Sequence, residues 1–392
     1  MEEIKWYIRD KMLQKYLDEK PLYYDEIDYA RMPRVYEKIK HNFKVPKIIH
    51  IIGTNGKGTT GRFLASALYS LGFDTGHYTS PHILEFNERI WLNGNNASFE
   101  ILEEAHKKLQ TILSEDDAKS LSYFEYTTLL SQVVYSKCDY VVLEAGLGGE
   151  YDATAVFPKI LTLLTPIDID HEAFLGDTIT EIATTKLNAV QNNLIIANQK
   201  YLEVIDVVNK LVVDKKINFN TIDGLLDIND KKKIDNISKK LDLVGYLKDN
   251  LSLSISALKF LDLNYEEPHF DNARLYGRMT KFTSNIIIDV GHNILAASSI
   301  LKALNKKTFI LIYNSYKDKD YKEILNILKP LIKRVEIIYV DDKRIEAKEK
   351  LQIVLSKLDI QYQDFKLCNN SENYLVFGSF SVVESFLKKQ KG

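Results

Sequence analysis

The sequence predicts an α/β protein: a P-loop-containing domain on a mainly parallel sheet with helices on both faces, followed by a smaller C-terminal α/β domain. Three observations carry this. Short β-branched apolar runs alternate with helical patterns, a glycine–lysine loop joins the first such run to a strongly apolar helix, and the alternation restarts after Gly277-Arg278.

The elements follow in order. Lys47–Ile52, Tyr140–Glu144, Lys159–Thr165 and Asn193–Ala197 read as buried strands, because runs this apolar suit a sheet covered on both faces. Thr59–Leu71 places Phe63, Leu64, Ala67, Leu68 and Leu71 on one helical face. From Tyr201 to Lys248 the texture changes to Lys, Asp and Asn with weak periodicity, including Lys231-Lys232-Lys233, and a solvated peripheral excursion is expected there. A second strand series runs through Ile286–Asp289, Thr308–Tyr313, Arg334–Val340 and Asn373–Val376. Domains of residues 1–280 and 281–392 are therefore expected, with the boundary near 277–283.

Composition narrows the function classes. At 392 residues the chain is too long for one ordinary core, and 45% hydrophobic with 27% charged residues describes a soluble globular protein. A net charge of −2 leaves no footprint for nucleic acid or an anionic membrane. Cys138 and Cys368 form no disulfide framework or zinc pattern, and Met1-Glu2-Glu3 opens no apolar leader. No apolar run approaches the ~20 residues needed to cross a bilayer. A cytoplasmic protein is expected.

The chemistry begins where His50-Ile51-Ile52 enters Gly53-Thr54-Asn55-Gly56-Lys57-Gly58-Thr59-Thr60. Glycines let backbone N–H groups approach phosphate oxygens, and a helix N-terminus adds partial positive charge. Lys57 is placed to reach terminal phosphates and Thr59 to touch a phosphate-bound magnesium. The string lacks the leading glycine of a literal Walker loop, and Gly58 separates Lys57 from Thr59. A flexible turn with a chance lysine is the bland alternative; the glycines, lysine and hydroxyls together favour phosphate. Glu144 ends an apolar run, where α/β proteins place their sites, and suits either a metal ion or neighbouring N–H groups. His171 follows a turn holding Asp168 and Asp170; by itself a loop histidine is more often surface than ligand.

Six motifs then occur in one order: the phosphate loop, Tyr78-Thr79-Ser80-Pro81-His82 with Phe86-Asn87-Glu88-Arg89, Phe124-Glu125-Tyr126-Thr127, Glu144 to Thr154, Asp170-His171 with Leu175-Gly176-Asp177-Thr178, and Gly277-Arg278 with Asp289-Val290-Gly291-His292-Asn293. In this the chain resembles the folylpolyglutamate synthase/dihydrofolate synthase family, a branch of the Mur-type ligases, from about residue 25 to the C-terminus. The resemblance implies an ATP- and magnesium-dependent amide ligase that adds L-glutamate to dihydropteroate, to a reduced folate, or to both. Such a reaction activates a carboxylate as an acyl phosphate, so the protein must position it and neutralise phosphoryl charge.

The resemblance also implies roles. Thr54, Asn55, Gly56, Lys57, Gly58 and Thr59 would cradle ATP. Ser80 and Glu144 would serve one Mg²⁺, and Glu144 with His171 a second. Lys186 aligns with a lysine these ligases carbamylate to support that second ion. Arg278 would meet phosphate, Asp289 and His292 the ribose and adenine, and Asn250 the adenine, with ATP between the domains. Pro81, His82, Phe124, Thr127 and Asp152 would line the substrate site. A monomer is implied. Glu150, Ala155, Ile294 and the segment Ile27–Arg31 depart from the family pattern, mostly near the acceptor pocket. The rivals are a cell-wall Mur ligase, for which too little chain precedes Gly53, a nucleotide-binding regulator without catalysis, and a simple P-loop phosphotransferase.

Overall fold

The computed structural model describes residues 12–21, 28–170, 172–304 and 307–391. The chain forms two compact units: one runs to Leu243 and resumes over Leu247–Arg274, and the other holds Val244–Tyr246 and the chain from Leu275 onward.

The first unit is built on β1 (Lys47–Ile52), β2 (Thr75–Tyr78), β3 (Ile90–Leu92), β4 (Asn95–Asn96), β5 (Tyr140–Glu144), β6 (Leu161–Leu164), β7 (Asn193–Ile196) and β8 (Asn218–Thr221). They form an eight-stranded sheet in the order β4-β3-β2-β5-β1-β6-β7-β8. Pairing is parallel from β2 through β8, and β3 and β4 extend the other edge antiparallel. β1 is central, and every residue from Ile48 to Ile52 is buried. On one face Ile48, Tyr78, Val141 and Leu143 pack with the helices Arg31–Ile39, Phe99–Ile112 and Tyr123–Val134. A second cluster joins Ile52, Leu164, Leu194 and Ile196 to the helices Ile179–Leu187 and Leu202–Lys215. The helix Lys57–Ser70 packs on β1, β2 and β5.

The stretch from Tyr201 to Lys248 is more ordered than its composition suggested. It supplies the helices Leu202–Lys215 and Ile228–Lys240 and the edge strand β8. Val204, Val208 and Leu211 recur at helical spacing and are buried, but the charged outer face dilutes that signal. Lys231 and Lys232 are exposed, as a solvated surface requires.

The second unit contains β9 (Thr280–Thr283), β10 (Ile286–Ile288), β11 (Phe309–Tyr313), β12 (Ile332–Ile337), β13 (Tyr362–Asp364) and β14 (Tyr374–Phe377), in the order β13-β12-β11-β14-β10-β9. Only the β10–β9 pair is antiparallel. The two edge strands escape sequence reading because they are largely solvent-facing and carry little apolar pattern. Among the described residues, no helix is long and apolar enough to cross a membrane.

Candidate active site

Strands β2, β5, β1 and β6 lie side by side and parallel, so the segments leaving their carboxyl ends gather at one edge of the sheet. The phosphate loop leaves β1. Gly53 has φ +134°, and a Cβ there would lie 2.1 Å from Thr165 Oγ1, so only glycine fits against the segment leaving β6. Thr54 and Asn55 donate their amides to Pro166 O at 3.0 and 3.4 Å, and Thr54 Oγ1 donates to Asp168 O at 3.1 Å. These bonds hold the loop's first half in place. Lys57 opens the helix and donates Nζ to Gly53 O and Thr54 O, both at 3.2 Å. Gly56 sits against Asn250, whose Nδ2 is buried without a partner, and Thr59 Oγ1 is buried and partnerless too. Leaving a buried polar group unmet costs roughly 1–3 kcal/mol, so these atoms mark where a ligand is expected.

Glu144 ends β5 and is 5% exposed. Its Oε2 accepts from the Thr79 hydroxyl and from Ser80 N at 3.3 Å. Thr79 stands in the Tyr78–His82 motif, but the sequence reading gave it no role. Beyond Glu144, the loop Gly146–Gly149 is enclosed from two sides. A Cβ on Gly146 would lie 2.5 Å from Phe124 Cζ, and one on Gly149 would lie 2.3 Å from Lys186 O. Gly149→Ala is therefore expected to lose about 1–3 kcal/mol of stability, because the obstacle is backbone that must shift. Denaturant titration against the wild type measures it.

Lys186 is 4% exposed and donates Nζ to Gly53 O at 3.1 Å, the same carbonyl that Lys57 reaches. Burial, and then the neighbouring Lys57 charge, push its ammonium down to about 7. Near neutral pH a large fraction is the free amine.

Hard oxygen donors around the loop suit magnesium, with water completing the shell. The Thr59 hydroxyl without a partner and the strand-end Glu144 fit that need. Among the described residues, no three His, Cys, Asp or Glu side chains form a ready cluster. His171, expected as a ligand, lies outside the described residues.

Of the residues expected at the substrate, Pro81 is exposed, and His82 Nδ1 accepts from Arg89 Nε at 2.8 Å. Burial and the Arg89 charge push His82 down to about 4, so it is neutral with its proton on Nε2. Phe124 lies over the glycine loop with its ring 5.9 Å from Tyr78. Thr127 is an interior group: it accepts from Tyr78 OH at 2.9 Å and donates to Phe124 O at 3.1 Å. Asp152 is interior as well, accepting from Leu147 N at 2.8 Å and Thr154 N at 2.9 Å.

Arg278, Asp289 and His292 belong to the second unit. Arg278 lies over the Phe380 ring at 5.0 Å and donates to Gly277 O at 3.1 Å. Asp289 Oδ2 accepts from Tyr246 OH at 2.6 Å and Met279 N at 2.9 Å, and Oδ1 accepts from Gly291 N at 2.8 Å. His292 is 6.5 Å from the Tyr316 ring.

No family model matches the chain. It is similar to Helicobacter pylori folylpolyglutamate synthetase, at 38% identity over 97% of this chain and 98% of that one, with a TM-score of 0.78. It is 29% identical to the dihydrofolate synthase/folylpolyglutamate synthase of Haemophilus influenzae, over 92% of this chain and 93% of that one. The bifunctional folylpolyglutamate synthase/dihydrofolate synthase of Yersinia pestis, complexed with AMPPNP and a manganese ion, shares the fold at a TM-score of 0.79 and 20% identity, over 98% of each chain.

Proposed function

The chain belongs to the folylpolyglutamate synthase/dihydrofolate synthase family, and we propose that it joins L-glutamate to dihydropteroate, to reduced folates, or to both, using ATP and Mg²⁺. One observation carries the reading. Two lysine amines, Lys57 and Lys186, converge on the Gly53 carbonyl at the mouth of the phosphate loop. Like charges held that close call for an anion between them or for loss of one proton.

Bound ATP activates the acceptor carboxylate as an acyl phosphate, and bound magnesium neutralises the phosphoryl charge. The chain's own groups do the rest. Lys57 swings from the loop carbonyls to the terminal phosphates, and Thr59 and the loop amides meet their oxygens. The Thr79 hydroxyl and Ser80 amide orient Glu144; Ser80 and Glu144 would hold one Mg²⁺, and Glu144 with His171 a second, supported by a carbamylated Lys186. Lys186, with its proton loosened, takes up carbon dioxide: the amine lone pair attacks carbon, an N–H proton leaves, and a carbamate forms. His82 and Phe124 face the acceptor. Arg278, Asp289, His292 and Asn250 serve the nucleotide. The enzyme works as a cytoplasmic monomer on this reading, consistent with two free cysteines.

The test is phosphate release from ATP and Mg²⁺ with glutamate, offering dihydropteroate and tetrahydrofolate separately. Release with both makes the enzyme bifunctional, and release with one assigns the acceptor. Silence with both, from protein that still binds ATP, would overturn the reading in favour of a regulator or another acceptor.

A further inference from the structure

A polar seam runs through the core of the first unit. Ile48 belongs to one core cluster and Ile52 to the other, and between them on β1 stands His50, wholly buried. Its Nε2 is 2.8 Å from Thr154 Oγ1, and Thr154 Oγ1 is 2.5 Å from Asp152 Oδ1. His50 Nδ1 has no partner, and neither has the hydroxyl of Thr162, its register neighbour on β6. Two lysine charges act on the seam: Lys159, 5% exposed, which donates to Ala155 O at 2.8 Å, and Lys186, 4% exposed, which interacts electrostatically with Asp152.

A hydroxyl has one proton, and that fixes the direction of the chain. If Asp152 is ionised, Thr154 must donate to it, so His50 must donate from Nε2 and leave Nδ1 bare. If Asp152 instead carries a proton on Oδ1, the side-chain bonds reverse: Asp152 donates to Thr154, Thr154 to Nε2, and the imidazole proton moves to Nδ1, which has no acceptor among the described residues. The tautomer of His50 therefore reports whether Oδ1 of Asp152 carries a proton, without touching it. Burial and Lys159 hold the ring well below its ordinary range, so a doubly protonated ring does not enter. Burial raises the Asp152 carboxyl above its ordinary range, and the donors from Thr154, Leu147 and Gly146 oppose that shift without cancelling it.

We propose that His50 is a positioning residue of the ligase: as the Nε2–H tautomer it commits the Thr154 proton to Asp152, which stays ionised and pins the Leu147 amide. Leu147 lies in the loop that follows Glu144, between Phe124 and the Lys186 backbone. Loss of the pin lets that loop drift, and with it the spacing of Glu144, Phe124 and Lys186. The kinetic arm of the test rests on the ligase reading; the tautomer arm does not.

The protein labelled with ¹⁵N-histidine is examined by long-range proton–nitrogen correlation, and the His50 signal is assigned by its disappearance in His50→Gln. The Nε2–H pattern is expected, unchanged over roughly pH 6 to 8. His50→Leu and Thr154→Val are expected to lose about tenfold to a hundredfold in kcat/KM for the acceptor, with ATP affinity within about twofold. His50→Gln, which keeps an N–H donor, and Thr154→Ser recover most of it. An Nδ1–H tautomer in the wild type, or wild-type kinetics in Thr154→Val, overturns the proposal. Should His50→Leu not fold, Thr154→Val and the wild-type tautomer still decide it. A wild type that releases no phosphate with any acceptor defeats the ligase reading instead, and the tautomer then judges the hydrogen-bond chain by itself.

Discussion

Alanine at Lys57 is expected to cut glutamate-dependent phosphate release by about 10²–10³-fold while leaving the protein folded. The two halves of that expectation come from different observations. Among the described residues, Lys57 Nζ donates to the carbonyls of Gly53 and Thr54, which lie in the loop it belongs to. Removing it frees two acceptors that ATP-site water can satisfy, so the melting temperature should move by no more than about 2–4 °C. The loss in rate has another origin. Phosphoryl charge that builds during transfer needs a cation aimed at it beforehand, and at this loop Lys57 is the side chain at the helix N-terminus that can swing there. Phosphate release and a thermal melt on the same preparation separate the two. Wild-type turnover from a folded Lys57→Ala protein would place the phosphates elsewhere.

Much of the candidate site was legible in the sequence because phosphate chemistry would impose a local spacing. Glycines at 53 and 56 and a lysine at 57 must be close in the chain to act together, so the loop reads directly from residue order. The central strands read equally well, since Ile48, Ile49, Ile51 and Ile52, and Val141–Leu143, are apolar on both faces. The parts that did not read are those made by residues distant in sequence. Nothing adjacent to Thr79 says that its hydroxyl meets Glu144, 65 positions on. Nothing adjacent to His50 says that Thr154 lies across from it, 104 positions on. Asp152 and Thr127 drew attention as polar residues inside motifs, yet their hydrogen bonds run inward to Leu147, Thr154, Tyr78 and Phe124. Motif membership marks importance without telling a wall from its support. The helices between Tyr201 and Lys248 were obscured for simpler reasons: in Ile228–Lys240 the charged residues outnumber the few that pack, and in Leu202–Lys215 the exposed Leu202 and Val213 blur the period.

Methionine at Lys186 is expected to make the protein more stable and nearly inactive, and the pH at which the stability appears is set by the lysine itself. Lys186 has an ordinary value of 10.5 and is pushed down to about 7 in the fold. Between those values the unfolded chain holds a proton that the folded chain has released, so wild-type stability rises with pH over that window. Below about 7 the group is charged in both states, and the full cost of burying it beside Lys57 is present. Methionine keeps the apolar stem without that charge. The gain should be about 2–4 kcal/mol near pH 6.5 and fade as pH approaches 10, which denaturant midpoints at several pH values would follow. Activity should fall by about 10–100-fold or more, as for other groups that support a metal ligand set. Carbon dioxide separates this from a merely misplaced lysine. A carbamate forms in the folded state alone, so bicarbonate should stabilise the wild type by mass action and leave Lys186→Met unchanged. Equal responses to bicarbonate would remove the carbamate, and an unchanged midpoint at low pH would remove the buried charge. If both hold, a costly buried cation is kept at this position because its free amine, poised near neutrality on the Gly53 carbonyl, is what the reaction uses.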